Sequence, residues 1–178
     1  MDSINKNQAE ENRENLHGKA AVEKIQELVK KASNCFFCTK ISTGNSFPTR
    51  PMAVQKVDDN GIFWLMSASD SHKNAEISED PYVQMLFQGS THSDFLSIYG
   101  KAEITADKAI IEELWEPIMK AWFTEGKDDP RITVLKITPK EGYYWDTKHG
   151  NAIAFIKTIA GALIGKTMDD SVEGTVRL

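Results

Sequence analysis

Between residues 35 and 145 the chain alternates short strand-like segments with tight turn signals, and nothing between them supplies the regular helical crossovers of a βαβ series. Residues 51–67 are the clearest case. Two strand-like stretches, 51–57 and 62–67, flank Asp58-Asp59-Asn60-Gly61, a composition suited to a hairpin because Asn and Gly accept positive φ. Strands joined this way pair antiparallel. Further strands are expected over residues 35–42, 82–88, 94–105, 132–138, 141–145 and 174–178, with Thr43-Gly44-Asn45 as another turn.

Helices frame these strands. Ala21, Val22, Ile25, Leu28, Val29 and Ala32 recur at helical spacing, so residues 19–32 predict one amphipathic helix. Ser69-Asp70-Ser71 offers cap oxygens for a second helix through Lys73, Ala75, Ile77 and Glu79, which Pro81 ends. Asp107 opens a third that breaks near Pro117, a short piece carries Met119, Ala121, Trp122 and Phe123, and a last helix precedes the final strand. The expected fold class is α+β, mainly antiparallel β, as a sheet or barrel with flanking helices. A doubly wound nucleotide fold is disfavoured, because neither G-x-G-x-x-G nor a Walker glycine loop is present. Residues 1–18, rich in Asn, Glu and Gln, read as a polar N-terminal arm ahead of one domain over 19–178.

Charge limits the partners. The 178 residues hold 21 Lys and Arg against 26 Asp and Glu, a net charge of −5, with no basic run. Neither nucleic acid nor a membrane is expected as a partner, so any bound anion must be held by a few local cations. The start of the chain shows no apolar segment behind a basic one, which predicts a cytoplasmic protein. The apolar run over 152–165 is broken by Lys157 and is shorter than the ~20 residues of a membrane span, so it reads as a core or amphipathic helix.

Most candidate motifs have an ordinary structural reading. Cys35-Phe36-Phe37-Cys38 matches C-x-x-C, but strand flanks turn the two thiols to opposite faces and predict reduced, packed cysteines. His17, His72, His92 and His149 lack metal spacing, and His92-Ser93-Asp94 resembles a catalytic triad in composition only, so no metal and no catalytic residue is assigned. Residues 67–73 are more informative. They follow a strand and open a helix, offering Ser67, Ser69, Ser71 and Lys73 beside free backbone N–H groups, which is an anion site or a plain helix cap. Arg50-Pro51-Met52 adds a forked cation and a polarizable thioether. With the strands after Arg50 and before Ser67 as hairpin neighbours, both cations fall at one end of the sheet. Trp115, Trp122, Phe123, Tyr143, Tyr144 and Trp145 read as core or as walls of a flat pocket.

The order of these pieces resembles a known family. Arg50-Pro51-Met52, then Phe63-Trp64-Leu65-Met66-Ser67, then Asp70-Ser71-His72-Lys73, a strand ending at Phe87, Leu114-Trp115 with Trp122-Phe123, Gly126-Lys127-Asp128-Asp129-Pro130 and Tyr144-Trp145-Asp146 are similar to the general stress protein branch of the pyridoxamine 5′-phosphate oxidase-like, FMN-binding split barrels. The resemblance spans residues 19–178. It implies a six-stranded split β-barrel and a homodimer with FMN at the subunit interface, working as an oxidoreductase or as a non-enzymatic flavin carrier or sensor. Carried over by residue, Arg50, Ser71, His72 and Lys73 would hold the FMN phosphate, Pro51, Met52, Leu65, Met66 and Ser67 would line the isoalloxazine, Gln88 would reach its edge, and Trp122 and Phe123 would cover it. The oxidases themselves carry Arg beside that lysine and a C-terminal Trp and Arg set. Here His72 and the tail Glu173-Gly174-Thr175-Val176-Arg177-Leu178 differ, which favours FMN binding over vitamin B6 oxidation.

Overall fold

The computed structural model describes residues 12–178 except 45 and 165–169. Residues 1–11 of the expected arm, Asn45 of the predicted turn and Gly165 lie outside the described residues. The strands are β1 (Leu16–His17), β2 (Asn34–Cys38), β3 (Thr49–Ala53), β4 (Lys56–Val57), β5 (Phe63–Ala68), β6 (Tyr82–Gln88), β7 (Phe95–Thr105), β8 (Ile132–Thr147) and β9 (Ser171–Arg177). The helices are α1 (Gly18–Ala32), α2 (His72–Glu79), α3 (Lys108–Leu114) and α4 (Asn151–Ile164), with 3-10 turns at Ile41–Thr43, Pro117–Ala121 and Gly126–Asp128.

The nine strands form one open, mainly antiparallel sheet, where the resemblance implied six. Its main path runs β1-β9-β8-β7-β6-β2-β3, and β5 joins the N-terminal half of β8. The β1–β9 pairing is parallel, and the other ladders are antiparallel. The predicted hairpin forms between β4 and β5. Asp58 Oδ1 accepts the backbone N–H groups of Asn60 and Ile62 at 2.9 and 3.0 Å, and Gly61 takes the positive φ, +74°, that closes the turn.

Two expectations are corrected. Residues 132–145 form one long strand, because Pro139, which lacks an N–H, sits beside a bulge where Lys140 of β8 is the extra residue between the Gly100–Pro139 and Tyr99–Glu141 pairs, and the ladder continues past it. The second concerns the N-terminal arm, whose residues 12–17 lie along β9. Arg13 bridges to Glu173, Glu14 N–H donates to Glu173 O at 2.8 Å, and Leu16 and His17 pair with Val176 and Arg177.

The main core gathers Ala21, Ile25 and Leu28 of α1 against Phe37, Met52, Leu65, Met85, Ile98 and Leu135 of the sheet. Burial alternates along β5. Phe63, Leu65 and Ser67 are buried, while half-buried Trp64, Met66 and Ala68 pack on a second cluster built from Ile111, Leu114, Met119, Phe123, Ile132 and Val134. Both C-x-x-C thiols are free and buried, and burial pushes the Cys35 thiol up to about 12. No helix among the described residues is long and apolar enough to cross a membrane.

Candidate functional site

Strand β5 delivers the chain to the start of α2 through a pinned turn. Ser69 N–H donates to Arg131 O at 2.7 Å, Ser71 N–H donates to Ala68 O at 3.1 Å, and Ser71 in extended conformation caps α2 by accepting from Asn74 N–H. Beneath the turn lies a buried polar network. Ser67 Oγ donates to Asn74 Oδ1 at 2.6 Å, Asn74 Nδ2 donates to Thr133 Oγ1 at 2.9 Å, and Thr133 Oγ1 donates to Ser67 O at 3.0 Å. Each buried polar group thereby finds a partner, and the turn is held rigidly against β8.

Arg50, on edge strand β3 opposite Phe37, reaches α2. Its Nη1 donates to Glu76 Oε2 at 2.8 Å and to Thr39 Oγ1 at 3.2 Å, and Thr39 Oγ1 in turn donates to Glu76 Oε2 at 2.5 Å. Burial works against the Glu76 carboxylate, but the hydrogen bonds from Thr39 and Arg50 outweigh it and hold its pKa below the ordinary value. Lys73 is half-buried, and its pKa is pushed down first by burial and then by the Arg50 charge beside it. Among the described residues no carboxylate lies within ion-pair distance of Lys73. The start of α2 therefore holds two neighbouring cations, one tied to Glu76 and the other without an ion-pair contact among the described residues.

The remaining expected site residues divide by burial. Pro51 and His72 are exposed near the cations, Pro51 on β3 beside Phe36 and His72 as the first residue of α2. Met52 and Leu65 send their side chains into the main core, Ser67 spends its hydroxyl on Asn74, and Met66 packs on the second cluster. Leu65 is fully buried, backbone included, and pairs with Leu135 of β8. Trp122 is 66% exposed, whereas Phe123 beside it is 6% exposed and belongs to the second cluster of its own chain. Gln88 is exposed at the end of β6 and donates to Ser90 O at 3.0 Å.

The structure adds residues the sequence reading missed. Glu76 and Thr39 surround Arg50, while Asn74 and Thr133 lock the cap. Arg131 binds Asp129 through Nε and Nη2 at 3.0 and 2.7 Å and donates to Trp122 O at 3.3 Å, tying the Trp122 loop to the residue that holds Ser69. Glu76, one turn beyond Lys73, was detectable by helical spacing, whereas Thr39 and Thr133 arrive through sheet pairing and carry no local signal. A separate cleft of about 800 Å³, bordered by Phe95, Trp145 and Thr158, contains none of the residues that the resemblance assigns to FMN.

Comparison with known proteins extends this picture. General stress protein 26 of Bacillus subtilis is 30% identical over 86 residues, 47% of this chain and 61% of that protein. Protein bli-3 of Neurospora crassa is 28% identical over 129 residues, 66% of this chain, and again 61% of its length is spanned. Among solved structures, a general stress protein 26 from Jannaschia sp. CCS1 shares the fold with a TM-score of 0.71 at 23% identity, over 90% of this chain and 100% of that one. The general stress FMN/FAD binding protein of Xanthomonas citri aligns with a TM-score of 0.58 at 25% identity, over 68% of this chain and 85% of that one. Residues 20–169, most of the sequence, match the family described as pyridoxamine 5′-phosphate oxidase like, and the chain belongs to that family.

Proposed function

We propose that this protein binds FMN and is a flavin-dependent oxidoreductase of the general stress protein type, acting as a homodimer. The observation that carries the reading is the Arg50–Lys73 pair. A half-buried lysine beside a guanidinium is unfavourable in isolation and becomes favourable when an anion lies between them. The start of α2 completes a cradle suited to a phosphate monoester, with the Ser71 hydroxyl, which donates to Asn74 Oδ1 at 3.2 Å, turning from that weaker bond to the anion. FMN ends in one such group. Family membership and the likeness to the general stress FMN/FAD binding protein of Xanthomonas citri support a flavin as the rest of the ligand.

Bound FMN would supply the redox chemistry, and the chain's own residues would bind and orient it. Arg50, Ser71 and Lys73 hold the phosphate in this reading, with Pro51 and Trp122 offering exposed surface to the ring. Met52, Leu65 and Phe123 support those residues from the core. Met52 of β3 and Leu65 of β5 share one core cluster, which supports a sheet folded back on itself as a split barrel. Pro51, Phe36 and Leu86 stand in register across β3, β2 and β6, with Phe36 57% and Leu86 41% exposed, and a second copy of the chain would cover this apolar strip.

Titration of the purified protein with FMN and with riboflavin tests the reading. FMN should bind tightly and riboflavin much more weakly, and Arg50→Ala with Lys73→Ala should remove the difference, since each charge-assisted contact contributes about 1.5–3 kcal/mol. Equal affinity for the two ligands, or no uptake of either, would overturn the phosphate assignment. Oxidation of NAD(P)H with an added acceptor tests the oxidoreductase part.

A further inference from the structure

We propose that Glu76 and Thr39 are positioning residues that set the Arg50 guanidinium for a phosphate, occupying both N–H groups of Nη1 and leaving Nη2 and Nε for the anion. This rests on the phosphate site proposed above.

The hydrogen-bond chemistry permits one arrangement. A guanidinium only donates and a carboxylate only accepts, so Thr39 Oγ1 must accept from Arg50 Nη1 at 3.2 Å and give its single proton to Glu76 Oε2 at 2.5 Å. Arg50 Nη1 completes the triangle with its second N–H on the same Glu76 oxygen at 2.8 Å. Of the five N–H donors of the guanidinium, the two on Nη1 are thereby spent inside the protein. Nη2 and Nε make no hydrogen bond among the described residues.

Three separate elements meet at this triangle. Thr39 follows β2 and is fully buried, with its own N–H donating to Pro48 O at 3.1 Å, so its hydroxyl is a fixed point. Glu76 comes from α2, the helix that also carries Lys73, and its side chain is 16% exposed. Arg50 comes from edge strand β3. Holding one guanidinium nitrogen at two fixed oxygens restricts rotation of the planar group, and a preset fork binds an oxyanion with less loss of side-chain freedom.

Glu76 has a competing role that predicts the opposite sign. If its carboxylate only neutralised Arg50, removing the charge would strengthen the attraction of the site for a phosphate. If it positions Arg50, removing the charge weakens FMN binding although the site becomes more positive.

The test measures FMN and riboflavin dissociation constants for the full chain and for Glu76→Gln, Thr39→Val and Thr39→Ser. The proposal expects Glu76→Gln and Thr39→Val each to weaken FMN binding about 5- to 20-fold, less than the ~10- to 150-fold for losing a direct charge-assisted contact because the Arg50 charge itself remains. Riboflavin binding should change by less than about twofold, because it lacks the phosphate that the fork would hold. Thr39→Ser, which keeps the hydroxyl, should restore the FMN value. Tighter FMN binding in Glu76→Gln would overturn the proposal in favour of simple charge competition. Parallel weakening of both ligands would overturn it in favour of general support of the fold. A parent protein that does not distinguish FMN from riboflavin would instead reject the phosphate site itself.

Discussion

Replacing Lys73 with Met should stabilise the free protein and weaken its hold on FMN. Below the folded-state pKa of Lys73 the ammonium is charged in both folded and unfolded chains, and the folded chain bears the cost of its burial and of the Arg50 charge. Half exposure lets solvent screen that cost, so Lys73→Met should add about 0.5–1 kcal/mol, or about 1–4 °C in Tm for a chain of this size. The advantage should shrink as pH rises from the lowered folded value toward the ordinary 10.5, where wild-type Lys73 is increasingly neutral in the folded state. With ligand the sign reverses. At FMN equal to about 100 times its Kd, the wild type gains about 2.7 kcal/mol. Loss of one charge-assisted contact raises Kd about 10- to 150-fold, which leaves the variant a gain of about 0.3–1.4 kcal/mol at the same FMN concentration. Thermal melts with and without FMN read both effects. A free Lys73→Met protein that melts below wild type would refute the burial argument, and an undiminished FMN shift would refute the role of Lys73 in binding.

Three further predictions concern the scaffold. Asp94 accepts from Lys31 at 2.6 Å and takes a positive φ of +60°, so Asp94→Asn should cost about 1.5–3 kcal/mol, and Asp94→Ala about 1 kcal/mol more because Ala tolerates that backbone poorly; equal losses in urea unfolding would contradict the backbone part. A Cβ at Gly174 would run into the Glu14 carbonyl, so Gly174→Ala should cost about 1–3 kcal/mol and speed tryptic cleavage after Arg13, with unchanged cleavage as the contrary result. The Arg131 guanidinium and backbone N–H hold the Asp129 carboxyl down to about 2 against an ordinary 3.8, so its stabilising contribution is fully present only well above 3.8 and is lost as pH falls toward 2. Asp129→Asn should flatten the acid dependence of Tm in that window and shift Trp122 fluorescence; an unaltered acid profile would show that the Arg131 contact does not hold the loop.

Local signals in the sequence located the turn and caps well. Asp58 to Gly61 closes its hairpin as the residue types require, Ser71 caps α2, and Asp107 caps α3 by accepting from Ala109 N–H at 2.8 Å. The alternation within β5 also bore on the site, since it puts Leu65 and Ser67 on the face opposite Met66 and prevents all three side chains from lining one ring. Other features depend on distant partners. Residues 12–17 are aperiodic and polar apart from Leu16, and they are held by backbone bonds to β9, by Asn15 on Thr175 and by Leu16 against the core, long-range partners that no local pattern encodes. Trp122 and Phe123 are equivalent aromatics by spacing, and only packing of Pro117–Ala121 on the second cluster decides that Phe123 turns inward.

The acidic balance of the chain explains why the proposed anion site stands out as a missing pair and not as a basic patch. With 26 acidic against 21 basic side chains, a cation drawn partway into the protein usually has a carboxylate close by. Half-buried Lys24, Lys40, Lys136 and Lys157 follow this rule, each standing 2.5–3.8 Å from Asp146, Glu79, Glu103 and Asp170 respectively. Lys73 does not, although Asp70 and Glu76 lie near enough to raise its pKa weakly. Glu76 instead binds Arg50, and the seryl cap keeps the turn before Lys73 tied to β8. The arrangement assigns the available carboxylate to Arg50 and leaves Lys73 without an ion-pair partner among the described residues, as the proposed phosphate site requires. A single charge reversal at the site should thus matter more than any change in net charge. Lys73→Glu should abolish FMN binding, while the same reversal at exposed Lys19, in the first turn of α1, should leave it unchanged.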